Sequence, residues 1–208
     1  MSSEQSEPPP SDHYFTAEPA SQSVLRRRDV TLAGCEVTVW TAGGIFSPEH
    51  IDRGTAVLLK HLPEPPPAGT FLDLGCGWGP LALTLAMKSP KADVYAVDVN
   101  QRALDLMQRN ADTFKCGRVT AAEPGDVPAD VTFDLIWSNP AIRIGKDALH
   151  GMLMLWLPRL APGGSAYFVV SKNLGADSLQ SWLSHQEPSW SVDRIATDKG
   201  FRILRVQR

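Results

Sequence analysis

Residues 70–86 read TFLDLGCGWGPLALTLA and combine two apolar runs with a glycine-rich turn. An apolar run from Phe71 to Leu74 meets a glycine-rich turn, and a second apolar run begins at Pro80. Glycine is needed where the backbone takes a positive φ or comes close to a ligand, and the N-terminus of a helix offers unpaired N–H donors. The stretch therefore predicts a strand, a ligand-binding turn and a helix.

The glycines alone leave the ligand of this turn open. A G-x-G-x-x-G dinucleotide fingerprint starting at Gly75 fails at Pro80, but one starting at Gly77 continues through Gly79 and Ala82, which its looser form tolerates. We take the turn and the acid before it as candidate cofactor-binding residues: Asp73, Gly75, Cys76, Gly77 and Gly79.

Two acids near this turn suit a small polar ligand. Asp98 ends the next predicted strand, VYAVDVN, at about the distance at which an acid meets ribose hydroxyls in such folds, and Val99 follows it. The alternative is that Asp98 only caps the helix that starts near Gln101. Asp73 suits contact with an amino-acid ammonium, although it also fits an ordinary turn.

The rest of the chain indicates the architecture. From Thr70 onward predicted strands and helices alternate, and the chain closes with two strands joined by the short turn TDKG. We predict an α/β fold, a Rossmann-like, doubly wound, mostly parallel seven-stranded sheet with an antiparallel C-terminal edge hairpin. The stretch LAPGGSAYFVVSK is read as a turn over APGG and then a strand.

The N-terminal part predicts a β-hairpin and a helix that precede this core. Alternating apolar residues flank an Ala33-Gly34 turn, and Ser47 with Pro48 resembles the start of a helix. We expect a disordered acidic and proline-rich tail over 1–11 and a single domain over 12–208, with an N-terminal extension over 12–66 and a core over 67–208.

Composition limits the function classes. The net charge is −3, but four of the 23 acidic residues lie in the first 23 positions, so the remainder holds 19 acidic and 20 basic residues. Charge therefore permits an RNA partner. Three cysteines without C-x-x-C spacing give no zinc or disulfide signal, and we expect no metal. Without a signal peptide or membrane-length apolar run, a cytoplasmic protein is expected.

A second informative stretch is FDLIWSNPAIRIGK, residues 133–146. The apolar run suits a covered strand, and Pro140 must end it because proline lacks an N–H and biases Asn139 toward extended geometry. Ligands of α/β sheets bind at such carboxyl ends. Asn-Pro is most often a simple turn, but the glycine turn and Asp98 upstream favour a catalytic role.

Together DLGCGWGP, AVDVN and SNPAIRIGK resemble the class I S-adenosylmethionine methyltransferases, in particular their small-domain (RsmC-like) family, which includes guanine-N2 methyltransferases of 16S ribosomal RNA. The similarity extends from HYFTAEP at His13 to DKGFRILR at the end, and it corresponds to the catalytic half of the longer members. The resemblance implies S-adenosylmethionine as cofactor and ribosomal RNA or the small ribosomal subunit as partner. Separately, we expect a monomer.

The resemblance also implies residue roles. The side-chain oxygen of Asn139 and the backbone carbonyl of Pro140 would each accept a hydrogen bond from one N–H group of an exocyclic amine, with Ile142 against the base. Ala141 departs from the second proline usual in the family. Glu123, or its neighbour Asp126, would contact the adenine of the cofactor.

Basic residues beyond this loop suggest contacts to RNA phosphates. The candidates are Arg143, Lys146 and Lys172, with Arg26, Arg27, Arg28, Lys199 and Arg202 as extensions of the surface and His13 or Phe15 as flaps over the site. Two alternatives stay open: methylation of a protein glutamine amide, which uses a similar Asn-Pro motif, and an RNA-binding or assembly module that binds the cofactor without turnover.

Overall fold

The computed structural model describes residues 24–140 and 144–208. Its strands and helices, in chain order, are β1 (Arg26–Leu32), β2 (Cys35–Thr41), α1 (Arg53–His61), β3 (Thr70–Leu74), α2 (Pro80–Lys88), β4 (Asp93–Val97), α3 (Gln101–Thr113), β5 (Val119–Ala122), β6 (Phe133–Ser138), α4 (Lys146–Trp156), β7 (Leu160–Ser171), α5 (Ala176–Leu183), β8 (Ser191–Asp198) and β9 (Phe201–Gln207). The predictions made for residues 1–23 and 141–143 lie outside the described residues.

The main sheet has seven strands in the order β5-β4-β3-β6-β7-β9-β8. The pairs from β5 to β7 are parallel, and β9 joins β7 and β8 in antiparallel register. The predicted fold class is thereby confirmed, including the edge hairpin. Strand order reverses between β3 and β6, and the crevice at the carboxyl ends of such strands is where α/β sheets bind ligands.

The sheet is covered on both faces, which explains why its strands read as nearly continuous apolar runs. Successive residues of a strand point to opposite faces, so Trp137 joins the core under β1, β2, α1, α2 and α3. Its neighbour Ile136 joins the core under α4 and α5. Both side chains are buried.

The N-terminal hairpin is present as predicted, with Ala33 and Gly34 at its turn, both at positive φ. It is tied to the core by Asn110 of α3, whose Oδ1 accepts from the backbone N–H of Trp40 and whose Nδ2 donates to the carbonyl of Trp40 and that of Trp78. This buried amide therefore fixes the hairpin beside the glycine turn.

The predicted helix start at Ser47 is wrong, because Asp52 is the N-cap of α1 and accepts from the backbone N–H groups of Gly54 and Thr55. Ser47 has a φ of 45° and its hydroxyl donates to the carbonyl of His50. Residues 42–52 instead form an irregular connector between β2 and α1.

The predicted turn over APGG is only partly correct, because these residues lie within strand β7. Strand β7 already begins at Leu160, and its pairing with β6 is interrupted between Leu160 and Ser165. A Cβ added at Gly164 would lie 2.8 Å from the carbonyl oxygen of Phe133, so glycine allows the two strands to approach there. The turn residues thus form an irregularity within the strand.

Candidate active site

The glycine turn joins β3 to α2 in a conformation that needs glycine. Gly75, Gly77 and Gly79 have φ values of 79°, 55° and 100°. A Cβ added at Gly79 would meet the Sδ of Met107, so the Met107 side chain of α3 packs against the turn. The backbone angle favours glycine at this position, and an added side chain would also require the flexible end of Met107 to move.

Asp98 binds this turn from the end of β4. Its Oδ2 accepts from the backbone N–H of Gly77 at 2.9 Å, and its Oδ1 accepts from that of Asn100 at 3.0 Å. Burial raises the pKa of Asp98, against the lowering effect of these hydrogen bonds. The N-cap of α3 is Asn100, whose side chain accepts from Ala103, so the interpretation of Asp98 as the helix cap is wrong.

Asp73 lies beneath the turn and is fully buried. Its Oδ2 accepts from the backbone N–H of Ala82 at 2.8 Å, whereas its Oδ1 has no hydrogen-bond donor among the described residues. Burial raises the pKa of Asp73 to about 8, with a further contribution from the charge of Asp98. An unpaired buried carboxylate oxygen is costly, so the arrangement favours a cationic ligand group nearby.

Asn139 and Pro140 follow β6, between the strands that lead to the glycine turn and the strands β7 and β9. The Nδ2 of Asn139 donates to the Oδ2 of Asp52 at 2.9 Å and to the Oγ1 of Thr55 at 3.0 Å. The preceding Ser138 is buried and its hydroxyl donates to the carbonyl of Leu74, which ties β6 to β3.

A cavity of about 880 Å³ runs along this edge of the sheet, within the range of small-molecule sites. On the β3 and β4 side its walls include Gly75, Gly77, Asp98, Val99, Asn100 and Ala103. On the β7 and β9 side they include Ile144, Met152, Leu155, Val169, Ser171, Leu174 and Phe201. Asn139 and Pro140 line the same cavity and lie between the two sides in the order of the strands.

Asp73 and Cys76 border a smaller pocket of about 20 Å³ that shares several walls with the cavity, among them Gly75, Gly77 and Asn139. The Cys76 side chain is buried, and burial raises the pKa of its thiol. The structure thus brings together most of the predicted cofactor residues, with Val99 on the rim and about half exposed.

Other predicted site residues lie apart from the cavity walls. Glu123 and Asp126 are exposed beyond β5, and it is Pro124 between them that lines the cavity. Lys146 begins α4 and Lys172 follows β7, and both are exposed close to residues of the lining, Ile144 and Ser171. Ile142 and Arg143 lie outside the described residues.

Several of the proposed basic extensions are engaged elsewhere. Arg202 is buried and pairs with Asp177, so its assignment to an RNA-facing surface is wrong. Arg26 and Arg28 both pair with Glu49. Those three arginines are therefore poor candidates for phosphate contacts.

Sequence reasoning missed the connector between β2 and α1, which forms one wall of the cavity through Phe46, Ser47 and Asp52. It is held by Asn100, whose Nδ2 donates to the carbonyl of Gly44 at 2.9 Å, and by Trp78, whose Nε1 donates to the carbonyl of Ser47 at 3.2 Å. The available signal was Asp52-Arg53-Gly54-Thr55, an N-cap candidate directly before the apolar helical pattern.

Comparison with known proteins identifies the family. Residues 36–205 match the family model described as the methyltransferase small domain, which is most of the chain. The chain belongs to the methyltransferase small domain family.

Members of the methyltransferase small domain family use S-adenosylmethionine as cofactor. The chain is 29% identical over 201 residues to the uncharacterized protein YbxB of Bacillus subtilis, covering 95% of this chain and 99% of YbxB. It is 34% identical over 203 residues to ribosomal RNA small subunit methyltransferase C of Pseudomonas entomophila, covering 95% of this chain and 58% of that protein. The chain therefore spans little more than half the length of that relative.

The fold has a solved counterpart. The structure of the 16S rRNA N2 methyltransferase RsmC of T. thermophilus, in complex with AdoMet and guanosine, superposes with a TM-score of 0.76 at 22% identity. The match covers 92% of this chain and 52% of that one. This similarity supports the Rossmann-like methyltransferase fold described above.

The residues present fit S-adenosylmethionine. The unpaired Oδ1 of Asp73 offers an acceptor for an ammonium group, and Asp98, which lines the cavity, retains lone pairs for two sugar hydroxyls. The exposed face of Val99 offers an apolar surface for a planar base. Two carboxylates whose pKa values burial raises also favour a ligand that carries positive charge.

Among residues 24–140 and 144–208, no helix is both long and apolar enough to cross a membrane. No group of three or more His, Cys, Asp and Glu side chains in the same residues is arranged to hold a metal ion.

Proposed function

We propose that the protein methylates an exocyclic amine, the N2 of a guanine in small-subunit ribosomal RNA. The observation that carries the proposal is the position of Asn139 and Pro140 in one continuous cavity, between the side formed by the glycine turn with Asp98 and the side formed by β7 and β9. A cofactor on the first side and an acceptor on the second would meet at Asn139.

The polarity of Asn139 supports an amine as acceptor. Its Nδ2 donates to Asp52 and Thr55, while no described residue donates to its Oδ1, so the group it can offer to a substrate is a hydrogen-bond acceptor. An amine N–H can donate to that oxygen, and a second N–H can donate to the carbonyl of Pro140. A substrate carbonyl would find no donor on this side chain.

These two acceptors would orient the nucleophile. The lone pair of the guanine amine is delocalised into the ring, and hydrogen bonds to both N–H groups hold the amine with its lone pair directed at the reacting carbon. When bound, S-adenosylmethionine supplies a methyl group on a sulfonium: the N–C bond forms as the S–C bond breaks, the thioether leaves, and the nitrogen then loses a proton to solvent.

The second side of the cavity supports a planar, mostly apolar acceptor. Its walls include the apolar side chains of Leu155, Val169, Leu174 and Phe201, with Ser171 as a polar member. A base taken out of a stack fits such a lining, since apolar side chains can pack against its faces while polar groups read its edge. The exposed Lys146 and Lys172 beside this lining are proposed phosphate contacts.

RNA of the small subunit is proposed because the relative from Pseudomonas entomophila is named as a small-subunit ribosomal RNA methyltransferase, and the T. thermophilus structure holds guanosine. We propose that Asp73, the turn residues Gly75 to Gly79, Asp98 and Val99 bind the cofactor. Glu123 and Asp126 remain proposed adenine contacts, and the monomeric state, the cytoplasmic location and the domain boundaries stay predictions.

The test is methyl transfer from radiolabelled S-adenosylmethionine to 16S ribosomal RNA, naked and in small subunits that lack N2-methylguanosine, followed by nucleoside analysis. Label in N2-methylguanosine is expected. Label in another nucleoside would overturn the guanine assignment. Label only in protein glutamine would favour the glutamine-amide alternative, and measurable cofactor binding without any label would favour the module that lacks turnover.

A further inference from the structure

The first turn of α1 contacts the side chain of Asn139, although 84 residues separate Thr55 from it in the sequence. The Oδ2 of Asp52 and the Oγ1 of Thr55 accept from the Nδ2 of Asn139 at 2.9 and 3.0 Å. Both hydrogen atoms of the amide nitrogen therefore have an acceptor within α1 and its N-cap.

These contacts permit one orientation of the amide. A carboxylate accepts hydrogen bonds only, so a reversed amide would place the Oδ1 of Asn139 against the Oδ2 of Asp52. The Oδ2 atom cannot easily move away, because it also accepts from the backbone N–H groups of Gly54 at 2.7 Å and Thr55 at 3.3 Å. The helix cap thus holds the carboxylate that orients the amide.

Gly54 provides a second, independent observation. It is buried, and a Cβ added there would lie 2.9 Å from the Oδ2 of Asp52 and 3.3 Å from both the Nδ2 and the Oδ1 of Asn139. The backbone of α1 therefore lies close enough to the Asn139 amide that a side chain at position 54 would crowd it. A larger residue would displace one of the two groups that the hydrogen bonds join.

We infer that Asp52 and Thr55 are positioning residues that hold the Asn139 carboxamide with its oxygen toward the acceptor. The inference rests on the proposed function, because in that reaction the Oδ1 of Asn139 accepts a hydrogen bond from the substrate amine. Asp52 lies in the cavity wall and Thr55 borders the smaller pocket, and in this account both act on the acceptor through Asn139. Their effect belongs to the turnover step, since an amide fixed in advance needs no reorientation when the acceptor arrives.

The variants that test this are Thr55→Val, Asp52→Ser and the double variant. Valine matches threonine in shape but cannot accept, and serine keeps an N-cap group while withdrawing the carboxylate from Asn139. We expect kcat to fall about 3-fold to 10-fold in each single variant and about 100-fold in the double variant. In Thr55→Val, which leaves the Asp52 carboxylate in the cavity wall, the affinity for S-adenosylmethionine should change less than about 2-fold.

Two controls separate positioning from general loss of structure. Thr84→Val removes another buried threonine hydroxyl, one that donates to the carbonyl of Pro80 in α2. In this variant kcat should stay at the wild-type value. Thr55→Ser restores an acceptor and should recover most of the activity lost in Thr55→Val. Wild-type kcat in the double variant, or an equal fall in the Thr84 variant, would overturn the inference.

A second readout does not depend on the substrate. The side-chain amide signal of Asn139 in a nitrogen-15 spectrum can be assigned by its absence in Asn139→Ala. We expect that signal to shift, and its hydrogens to exchange faster with solvent, in the double variant but not in Thr84→Val. If wild-type protein methylates no RNA, the proposed function fails, while this spectrum still decides the inference: an unchanged signal overturns it.

Discussion

The Oδ2 of Asp98 accepts a 2.9 Å hydrogen bond from the backbone N–H of Gly77, joining the acid at the end of β4 to the glycine turn after β3. The other oxygen, Oδ1, accepts from the backbone N–H of Asn100, the N-cap of α3. One carboxylate therefore fixes the geometry of two connections and still lines the cavity.

Asp98→Ala should weaken the binding of S-adenosylmethionine about 10-fold to 100-fold, because charge-assisted hydrogen bonds to two sugar hydroxyls are lost and the turn is loosened. Isothermal titration calorimetry measures the change. Asp105→Ala is the matched control, since Asp105 is an exposed acid of α3 that pairs only with Gln101 among the described residues. Equal affinity of the Asp98 variant and wild type would refute the ribose assignment.

The affinity for S-adenosylmethionine should rise as the pH increases from about 6 to about 8, by up to about 10-fold per unit. Burial raises the pKa of Asp73 to about 8, so the carboxyl of the unliganded protein is protonated below that pH. An ammonium beside it favours the ionised form and lowers its pKa, so binding releases a proton. Calorimetry in buffers of different ionisation enthalpy counts that proton, and Asp73→Asn should abolish its release.

The same pKa can be checked without cofactor. A carboxyl whose pKa rises from 3.8 in the unfolded chain to about 8 on folding binds more protons in the folded state between those values. The free energy of unfolding should therefore fall as the pH increases through that window and level off above it. Urea denaturation of wild type and Asp73→Asn at several pH values should show a shallower pH dependence of the unfolding free energy in the variant. The same pH dependence in both proteins would contradict the assignment.

Gly79→Ala should destabilise the protein by more than about 2 kcal/mol, because alanine is strained at a φ of 100° and its Cβ would meet the Sδ of Met107. Gly151→Ala is the contrasting variant. Gly151 lies in α4, is exposed and has nothing within 4 Å of an added Cβ, so alanine should stabilise by about 0.5 to 1 kcal/mol. Urea denaturation measures both, and similar effects of the two substitutions would refute the account of the turn.

Removing Lys146 and Lys172 together should weaken RNA binding about 10-fold and reduce the slope of log K against log salt by about 1, without changing cofactor affinity. Both lysines are exposed beside the second side of the cavity. Lys91→Ala is the control, because Lys91 is exposed just before β4, at the opposite edge of the sheet. Filter binding at several salt concentrations gives the slopes, and an equal effect of the control would indicate non-specific charge.

Much of the fold could be predicted because local signals and topology agree. The glycine turn, Asp98 and Asn139 all follow apolar runs typical of covered parallel strands, and parallel strands bring their carboxyl ends to one edge. The sequence therefore predicted that these residues would meet, and the cavity is lined by Gly75, Asp98 and Asn139.

The rest depended on contacts that local patterns do not encode. Ser47-Pro48 is a better helix start by local rules than Asp52, yet Ser47 lies in the cavity wall, where Trp78 and His50 engage it. The contact of Thr55 with Asn139 arises because α1, which packs against β7 and β9, brings its first turn beside the residue that follows β6. Arginine is usually a surface residue, but β9 buries Arg202 beside Asp177 of α5.

The central claim is that Asn139 acts in methyl transfer and not in cofactor binding. The most direct measurement is the single-turnover rate of methyl transfer to 16S ribosomal RNA by wild type and Asn139→Ala, with cofactor affinity measured on the same preparations. We predict a rate about 100-fold to 1000-fold lower in the variant with nearly unchanged affinity, since a transition-state acceptor is lost. A variant that transfers methyl at the wild-type rate would contradict the account.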